Sequence, residues 1–326
     1  MKKLFLLLLA AVLLAGCTGR EAAAVPQYVL TYAENQPENY PTTLGAAYFA
    51  RLVEERTQGR IIVDVVCDAR MGTQQEVLEQ MAFGGIDFTR VSLSSISDEL
   101  PILNVLQLPF LYEDADHMWR ILDGSIGGSF LEVFSQAGLV GLSWYDSGAR
   151  SFYAVTPIRS AADLAGLTIR VQESQMMADM IQLLGAKPAG IVYSDVYAAF
   201  DTGKIQAAEN NWSSYESQFH YQLAPYYTED RHTRIPEVQL ASGRLWRLLS
   251  EADQQIILEC AQESAIYERT LWTRWEEGAQ KRAMDSGATR IVLEDQAYQE
   301  LKTLVEPLYE QYCGDHLELI RQIQNG

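Results

Sequence analysis

At 326 residues and a formal charge of −18, the chain is a poor candidate for nucleic-acid binding, where affinity rests on Lys and Arg against phosphates. It is long enough for two domains. An anionic ligand is compatible with this charge, because a local pair of arginines outweighs distant, screened carboxylates.

Residues 1–17 read as an export leader: Lys2 and Lys3, an apolar run from Leu4 to Leu14, then Leu14-Ala15-Gly16-Cys17. The run is too short to span a bilayer comfortably. Its last four residues look like a bacterial lipobox, with cleavage before Cys17 and lipid on its sulfur. Such acylation would hold the protein on a membrane surface. Residues 18–25 read as a tether. Beyond Cys17 the cysteines are Cys67, Cys260 and Cys313. An odd number cannot all pair within one chain, and Cys67 and Cys260 fall in apolar runs that suit small core residues. The four histidines are scattered, so no metal site and no cofactor is expected.

In chain order, a strand is predicted over Tyr28–Ala33, a helix from Pro41 to Thr57, a strand from Ile61 to Cys67, a helix over Gln74–Phe83 and a strand from Ile86 to Ser92. This βαβαβ start points to an α/β sheet with mostly parallel strands. Ligands bind at loops off the carboxyl ends of such strands, where Asn35, Arg90 and Ser92 fall. Pro101–Leu111 reads as an apolar loop. Helices follow over Asp114–Leu122 and Gly128–Ala137, then a strand over Val140–Tyr145. Asp146-Ser147-Gly148 breaks it and marks a crossing into a second domain.

The pattern restarts with a strand from Arg150 to Val155. Next comes the stretch Ser160–Glu173, containing a strand over Leu167–Val171. There Leu167, Ile169 and Val171 alternate with Thr168 and Arg170, so one face is apolar and the other presents a guanidinium. That planar fork fits a carboxylate through two parallel bonds. Helices are predicted over Ser174–Leu184 and Ser194–Thr202, separated by a turn at Gly185–Pro188. A short strand from Ile205 to Glu209 delivers Asn210. Arg150, Arg170 and Asn210 read together as one anion site; a structural ion pair is the competing reading for Arg170. Val238–Ser242 is a returning strand, and Ser250 opens a helix running to Asp285, long enough to lie across two domains. A last strand (Arg290–Leu293) and closing helices (Asp295–Cys313 and Asp315–Gln324) complete the chain.

With these residues in place, the chain resembles the DctP-like extracytoplasmic solute-binding proteins of tripartite ATP-independent periplasmic (TRAP) transporters. The shared motifs include Gly84-Gly-Ile-Asp-Phe88, Leu108-Pro-Phe-Leu111, Asp163-Leu-Ala-Gly-Leu-Thr-Ile-Arg-Val171, Gly185-Ala-Lys-Pro188, Ser194-Asp-Val-Tyr197 and Glu209-Asn210. The resemblance implies a two-domain, type II periplasmic-binding-protein-like α/β fold with a hinged cleft and a long helix spanning both domains. It implies domain I from residues 26–147 plus 236–275 and domain II from 148–235 plus 276–326. It assigns Arg170 to the ligand carboxylate, with Arg150 and Asn210 beside it, Tyr193 against the ligand, and Asn35, Gln74 and Arg90–Ser92 as first-domain contacts. Two departures, Met71-Gly-Thr-Gln-Gln75 and Gln206-Ala207, bear on the first-domain contacts rather than on the carboxylate clamp.

Phe88–Ser94, His117–Trp119, Gly148–Tyr153, Ile169–Ser174 and Glu209–Ser217 are similar to the sugar-acid branch of that family, which includes receptors for glucuronate and galacturonate. For a uronate, Arg90, Asn35, Gln74, Gln172, Asn210 and Asn211 could meet hydroxyls, while Trp212 and Tyr215 could pack on a pyranose face. The expected partners are an organic-acid ligand, TRAP membrane permease subunits and a membrane reached through the lipid anchor, the protein being an exported, envelope-located monomer that binds no nucleic acid. Alternatives are a receptor for an aldonate or a C4-dicarboxylate, a ligand sensor docking on a membrane signalling protein, and an exported sugar-acid enzyme using Glu173 with Glu209.

Overall fold

The computed structural model describes residues 25–326. The expected leader, Cys17 and residues 18–24 of the tether lie outside the described residues. Two sheets make two lobes. Lobe I holds β1 (Tyr28–Ala33), β2 (Ile61–Val66), β3 (Phe88–Ser92), β4 (Leu139–Tyr145) and β10 (Glu237–Ser242), ordered β2-β1-β3-β10-β4. Lobe II holds β5 (Arg150–Ala154), β6 (Thr168–Val171), β7 (Lys187–Gly190), β8 (Ala207–Asn210), β9 (Tyr226–Thr233) and β11 (Thr289–Ile291), ordered β11-β9-β5-β8-β6-β7.

Most neighbours run parallel, but each sheet contains a reversed strand. β10 is antiparallel to β3 and β4, and β5 is antiparallel to β8 and β9. These two strands follow the places where the chain changes lobe, Asp146–Ala149 and Arg234–Pro236. Reversal therefore brings the amino ends of β5 and β10 to the edge where the parallel strands end, and both edges face one cleft. Ser147 Oγ donates to Ile235 O at 2.7 Å, tying the two crossings together. Gly148 has φ +64°, and a Cβ there would lie 2.6 Å from Glu276 Oε1. The turn into lobe II thus needs glycine for both its backbone and its close neighbour.

The long helix forms as the sequence predicts. Here α1 is Pro41–Arg56, α2 Gln74–Phe83, α3 Ala115–Leu122, α4 Ser125–Val133, α5 Gln175–Leu183, α6 Val196–Asp201, α7 Trp212–Ser217, α8 Gly243–Trp246 and α9 Glu251–Asp285. Ser250 caps α9 by accepting from Asp253 N at 3.1 Å. Its buried stripe includes Ile257, Cys260, Ala261, Ser264, Glu268, Trp272, Ala279 and Ala283, mostly three or four positions apart, so one face is continuous. That face packs on α1 and β4 of lobe I, then on α7 of lobe II. Midway, Glu268 accepts from Asp146 N at 2.9 Å, pinning the first crossing to the helix.

Several elements differ from expectation. Pro101–Gln107 is a 3-10 helix rather than a loop, and the Gly185–Pro188 turn gives way to β7. Strand β9 is additional. The final helical stretch is broken by Pro307, whose ring cannot continue the Asp295–Val305 helix (α10). It separates α11 (Pro307–Cys313), with α12 (Leu317–Gln324) following. These C-terminal helices, expected within domain II, pack on both lobes. Tyr309 Oη donates to Pro109 O at 2.7 Å on one side, and Tyr312 Oη donates to Asp179 Oδ2 at 2.7 Å on the other. Cys67, Cys260 and Cys313 are buried and unpaired.

Candidate functional site

Strand register assembles the cleft. In lobe II, Ser151 pairs with Asn210 and Arg170 with Ala208. The start of β5 and the ends of β6 and β8 therefore bring Arg150, Arg170 and Asn210 to one rim. In lobe I, Glu237 of β10 pairs with both Ser92 and Tyr145. Arg90, Asn35 and Glu237 consequently gather on the opposing rim. The pocket between them is also lined by Gln74, Gln172, Tyr193 and Trp272.

The three arginines are not equivalent. Arg90 is neutralised within lobe I: its Nε donates to Glu34 Oε2 at 3.1 Å and its Nη1 to Glu237 Oε2 at 2.6 Å. Its Nη2 also donates to Asn35 Oδ1 at 2.7 Å, fixing that amide. Arg150 forks onto Glu209, with Nε on Oε2 and Nη2 on Oε1, and its Nη1 donates to Asn210 Oδ1 at 3.1 Å. Arg170 is 2 % exposed and forms no ion pair among the described residues. Its Nε donates to Ile191 O at 2.8 Å, while Nη1 has no partner among the described residues. Burial, partly offset by Glu209 and Tyr153, holds its pKa below the ordinary guanidinium value. Tyr193 Oη, on the same pocket wall, is likewise buried and unpartnered.

Behind Arg150 the charges alternate. His232 Nε2 lies 3.6 Å from Glu209 Oε2, and its Nδ1 lies 2.9 Å from Asp230 Oδ2. Burial alone would lower the His232 pKa, but Asp230 and Glu209 push it up to about 9. Burial alone would raise Glu209, but Arg150 and His232 hold it at about 2. Arg150 is therefore a neutralised, positioning cation, and Arg170 is the guanidinium left open to an incoming anion.

The expected site residues separate into three groups. Arg170, Arg150, Asn210, Asn35, Gln74, Arg90, Gln172 and Tyr193 all line the pocket. Ser92 stands behind it: its N–H donates to Gln74 Oε1 at 3.0 Å and its Oγ lies 3.5 Å from Gln172 Oε1. Trp212 and Tyr215 correct the sequence expectation. Trp212 stacks on Tyr227 with ring centroids 3.6 Å apart, and Tyr215 Oη donates to Ala224 O at 2.9 Å inside the lobe II core. The aromatic wall is instead Trp272 of α9, 5.8 Å from the Tyr40 ring, and Tyr40 also lines the pocket. Trp272 lies in a long helix, where aromatics are more often core, and Tyr40 stands at the N-cap of α1, where nothing local marks a ligand contact. Glu34 and Glu237 were missed too, although a polar pair after an apolar strand is a signal for Glu34-Asn35.

Arg150→Ala is expected to cost about 3–5 kcal/mol of ligand-free stability, since it removes the fork from the buried Glu209 carboxylate and leaves it only His232 at 3.6 Å. Arg170→Met is expected to leave the urea midpoint of the ligand-free protein unchanged or higher, because it removes a desolvated cation with one neutral acceptor. His232 binds its proton more tightly folded than unfolded. Its stabilisation is complete below the ordinary value of 6.5 and lost as pH rises through about 9. Denaturation midpoints of wild type and His232→Gln should therefore converge on the alkaline side.

Comparison with known proteins gives this cleft its context. Residues 32–315 match the family described as bacterial extracellular solute-binding protein, family 7 (DctP). A solute-binding protein from Chromohalobacter salexigens is 35% identical over 284 residues, 87% of this chain and 84% of that protein. A TRAP periplasmic solute-binding protein from Bradyrhizobium, solved with galacturonate, is 36% identical and covers 92% of this chain and 100% of its own, with a TM-score of 0.89. One from Citrobacter koseri with bound D-glucuronate is 31% identical, covers 91% of this chain and 98% of its own, and has a TM-score of 0.88. Its apo, open structure, at 29% identity and covering 90% and 97%, has a TM-score of 0.81. The chain belongs to the DctP family of bacterial extracellular solute-binding proteins.

Proposed function

We propose that the protein is the solute receptor of a TRAP transporter and captures a hexuronate such as glucuronate or galacturonate. The observation that carries this reading is Arg170: a buried guanidinium without an acidic partner, beside an unpartnered Tyr193 hydroxyl, in a cleft whose other two arginines are already neutralised. A carboxylate supplies what that guanidinium lacks. The solved relatives with bound uronates support the same ligand class. So does the distribution of charge. Arg90 with Glu34 and Glu237 leaves the lobe I rim one charge negative, which suits hydroxyl donors and repels a carboxylate.

The carboxylate therefore sits on lobe II and the hydroxyls face Asn35, Gln74 and Glu237. Domains I and II, divided at Asp146–Ala149 and Arg234–Pro236, close over the sugar by rotation about these crossings. The higher TM-score to the ligand-bound than to the open Citrobacter koseri form supports a closed arrangement here. The enzyme reading loses its pair: both Glu209 oxygens accept from Arg150, and that carboxyl is held at about 2. The closed receptor is a monomer that delivers its ligand to the membrane permease from the envelope, anchored through lipid on Cys17.

A thermal-shift screen of residues 26–326 tests this. Glucuronate or galacturonate is expected to raise Tm in proportion to saturation, and neutral sugars are not. A shift with dicarboxylates or aldonates alone would replace the uronate. Arg170→Ala should lose about 2–5 kcal/mol of binding, and Arg170→Lys should bind weakly because a point charge cannot reproduce the fork. For the anchor, Cys17→Ser should move the full-length protein from the washed membrane fraction to the soluble one.

A further inference from the structure

The cleft is larger than one sugar acid needs, and its charge is divided along its length. The inner pocket around Arg170 has a volume of about 40 Å³, room for a carboxylate and little more. It opens past Asn35, Gln74, Gln172 and Tyr193 into an outer chamber of about 480 Å³. A cavity of roughly 150 Å³ holds benzene. On that scale a hexuronate of 13 heavy atoms takes roughly 325 Å³ and a uronosyl-pentose of 22 takes roughly 550 Å³, close to the volume of pocket and chamber together, about 520 Å³. This room persists although the lobes already touch. Tyr40 Oη lies 3.2 Å from Ser214 Oγ, and Gln175 N donates to Asp98 Oδ1 at 3.4 Å.

The chamber lining shows what suits the remaining space. Its charged side chains other than Arg170 are Asp68, Glu76 and Glu173, all acidic and solvent-exposed. Between them stand neutral donors and acceptors, including Gln75, Ser194 and Gln218. Arg170 belongs to the inner end and is engaged by the first carboxylate. A second carboxylate in the chamber would meet three like charges and no free cation. A neutral sugar would meet hydroxyl and amide partners.

Resting on the uronate reading, we propose that the outer part of the chamber is a second sugar subsite, and that the receptor accepts a uronate glycosidically linked to a neutral sugar. The inner pocket takes the carboxylate of the terminal uronate, whose ring fills the inner part of the chamber. Because a chain-terminal uronate carried on a neutral sugar is joined through its anomeric oxygen, that oxygen faces the outer part and the neutral ring lies between Gln75 and Gln218. A second uronate is disfavoured by Glu173, Glu76 and Asp68.

Isothermal titration with glucuronate, galacturonate, the aldobiouronate glucuronosyl-xylose and digalacturonate tests the subsite. Glucuronosyl-xylose is expected to bind at least as tightly as glucuronate, and digalacturonate about tenfold more weakly than galacturonate. In Glu173→Gln the ratio between digalacturonate and galacturonate, measured on the same variant, should narrow. Binding of glucuronate with loss of glucuronosyl-xylose would overturn the subsite and keep the uronate receptor. Equal binding of digalacturonate and galacturonate, unmoved by Glu173→Gln, would overturn the charge argument. Failure of both monosaccharides would remove the uronate reading and the subsite with it.

Discussion

A guanidinium taken out of water without a counter-charge is among the more costly groups a fold can carry. Arg170 is in that state, and much of the cleft is arranged around it. The protein neutralises its neighbours, Arg90 with Glu34 and Glu237, Arg150 with Glu209, and leaves this one open. The exception is placed where it does least harm to the fold. Arg170 lies on a short interior strand with Val171 and Ile169 packed in the core beside it, and its Nε is satisfied by Ile191 O. Only the outer end of the fork is left to a ligand. Glu209 helps to tolerate the charge at a distance without pairing with it.

That arrangement depends on topology. A purely parallel sheet in each lobe would deliver only carboxyl ends to the cleft. By reversing β5 and β10, the two crossings also deliver Arg150 and Glu237, whose pairs with Glu209 and Arg90 set the electrostatics. The same crossings are where we propose the hinge. Ser147 links them to each other, Asn211 Nδ2 donates to Ser147 O at 2.8 Å, and Glu268 binds Asp146 N from the long helix. The rim of lobe II and the hinge are thus joined through adjacent residues, Asn210 and Asn211, one touching Arg150 and the other the crossing.

Much of this was legible in the chain. The βαβαβ start, the break at Asp146–Gly148 and the helix from Ser250 to Asp285 follow from periodicity and caps, and the alternation around Arg170 exposes a charge where an apolar residue would bury more easily. What was hidden is pairing. Nothing local says that Arg150 is spent on Glu209 while Arg170 is free; that follows from the register of β5 on β8. Strand β7 was lost because Lys187-Pro-Ala-Gly190 lacks β-branched residues, and β9 because Glu229-Asp230-Arg231 interrupts its apolar pattern. Trp212 and Tyr215 read as stacking candidates because Glu209–Ser217 resembles the sugar-acid branch, with core packing the competing reading for Trp212, and α7 turns both into the lobe II core against Tyr227. Trp272, which lines the cleft with Tyr40 and Tyr193, comes from the long helix, some sixty positions away in the chain.

On the proposed reading, the division of charge between the lobes makes closure and recognition one event. In the open cleft, water solvates the exposed end of Arg170 and screens it from the acidic rim opposite. As the lobes approach, that water leaves, the effective dielectric falls and every uncompensated charge becomes more costly. A neutral sugar would leave Arg170 facing a drier cleft with no anion on its fork. On the proposed reading a carboxylate satisfies the fork directly, while hydroxyls on its other side donate toward Glu237 and Asn35. The bound acid thereby converts the most unfavourable contact of the closed state into a bridge between lobes. On that reading, selectivity for a carboxylate carrying several hydroxyls arises from closing the cleft, and not from the affinity of either lobe alone.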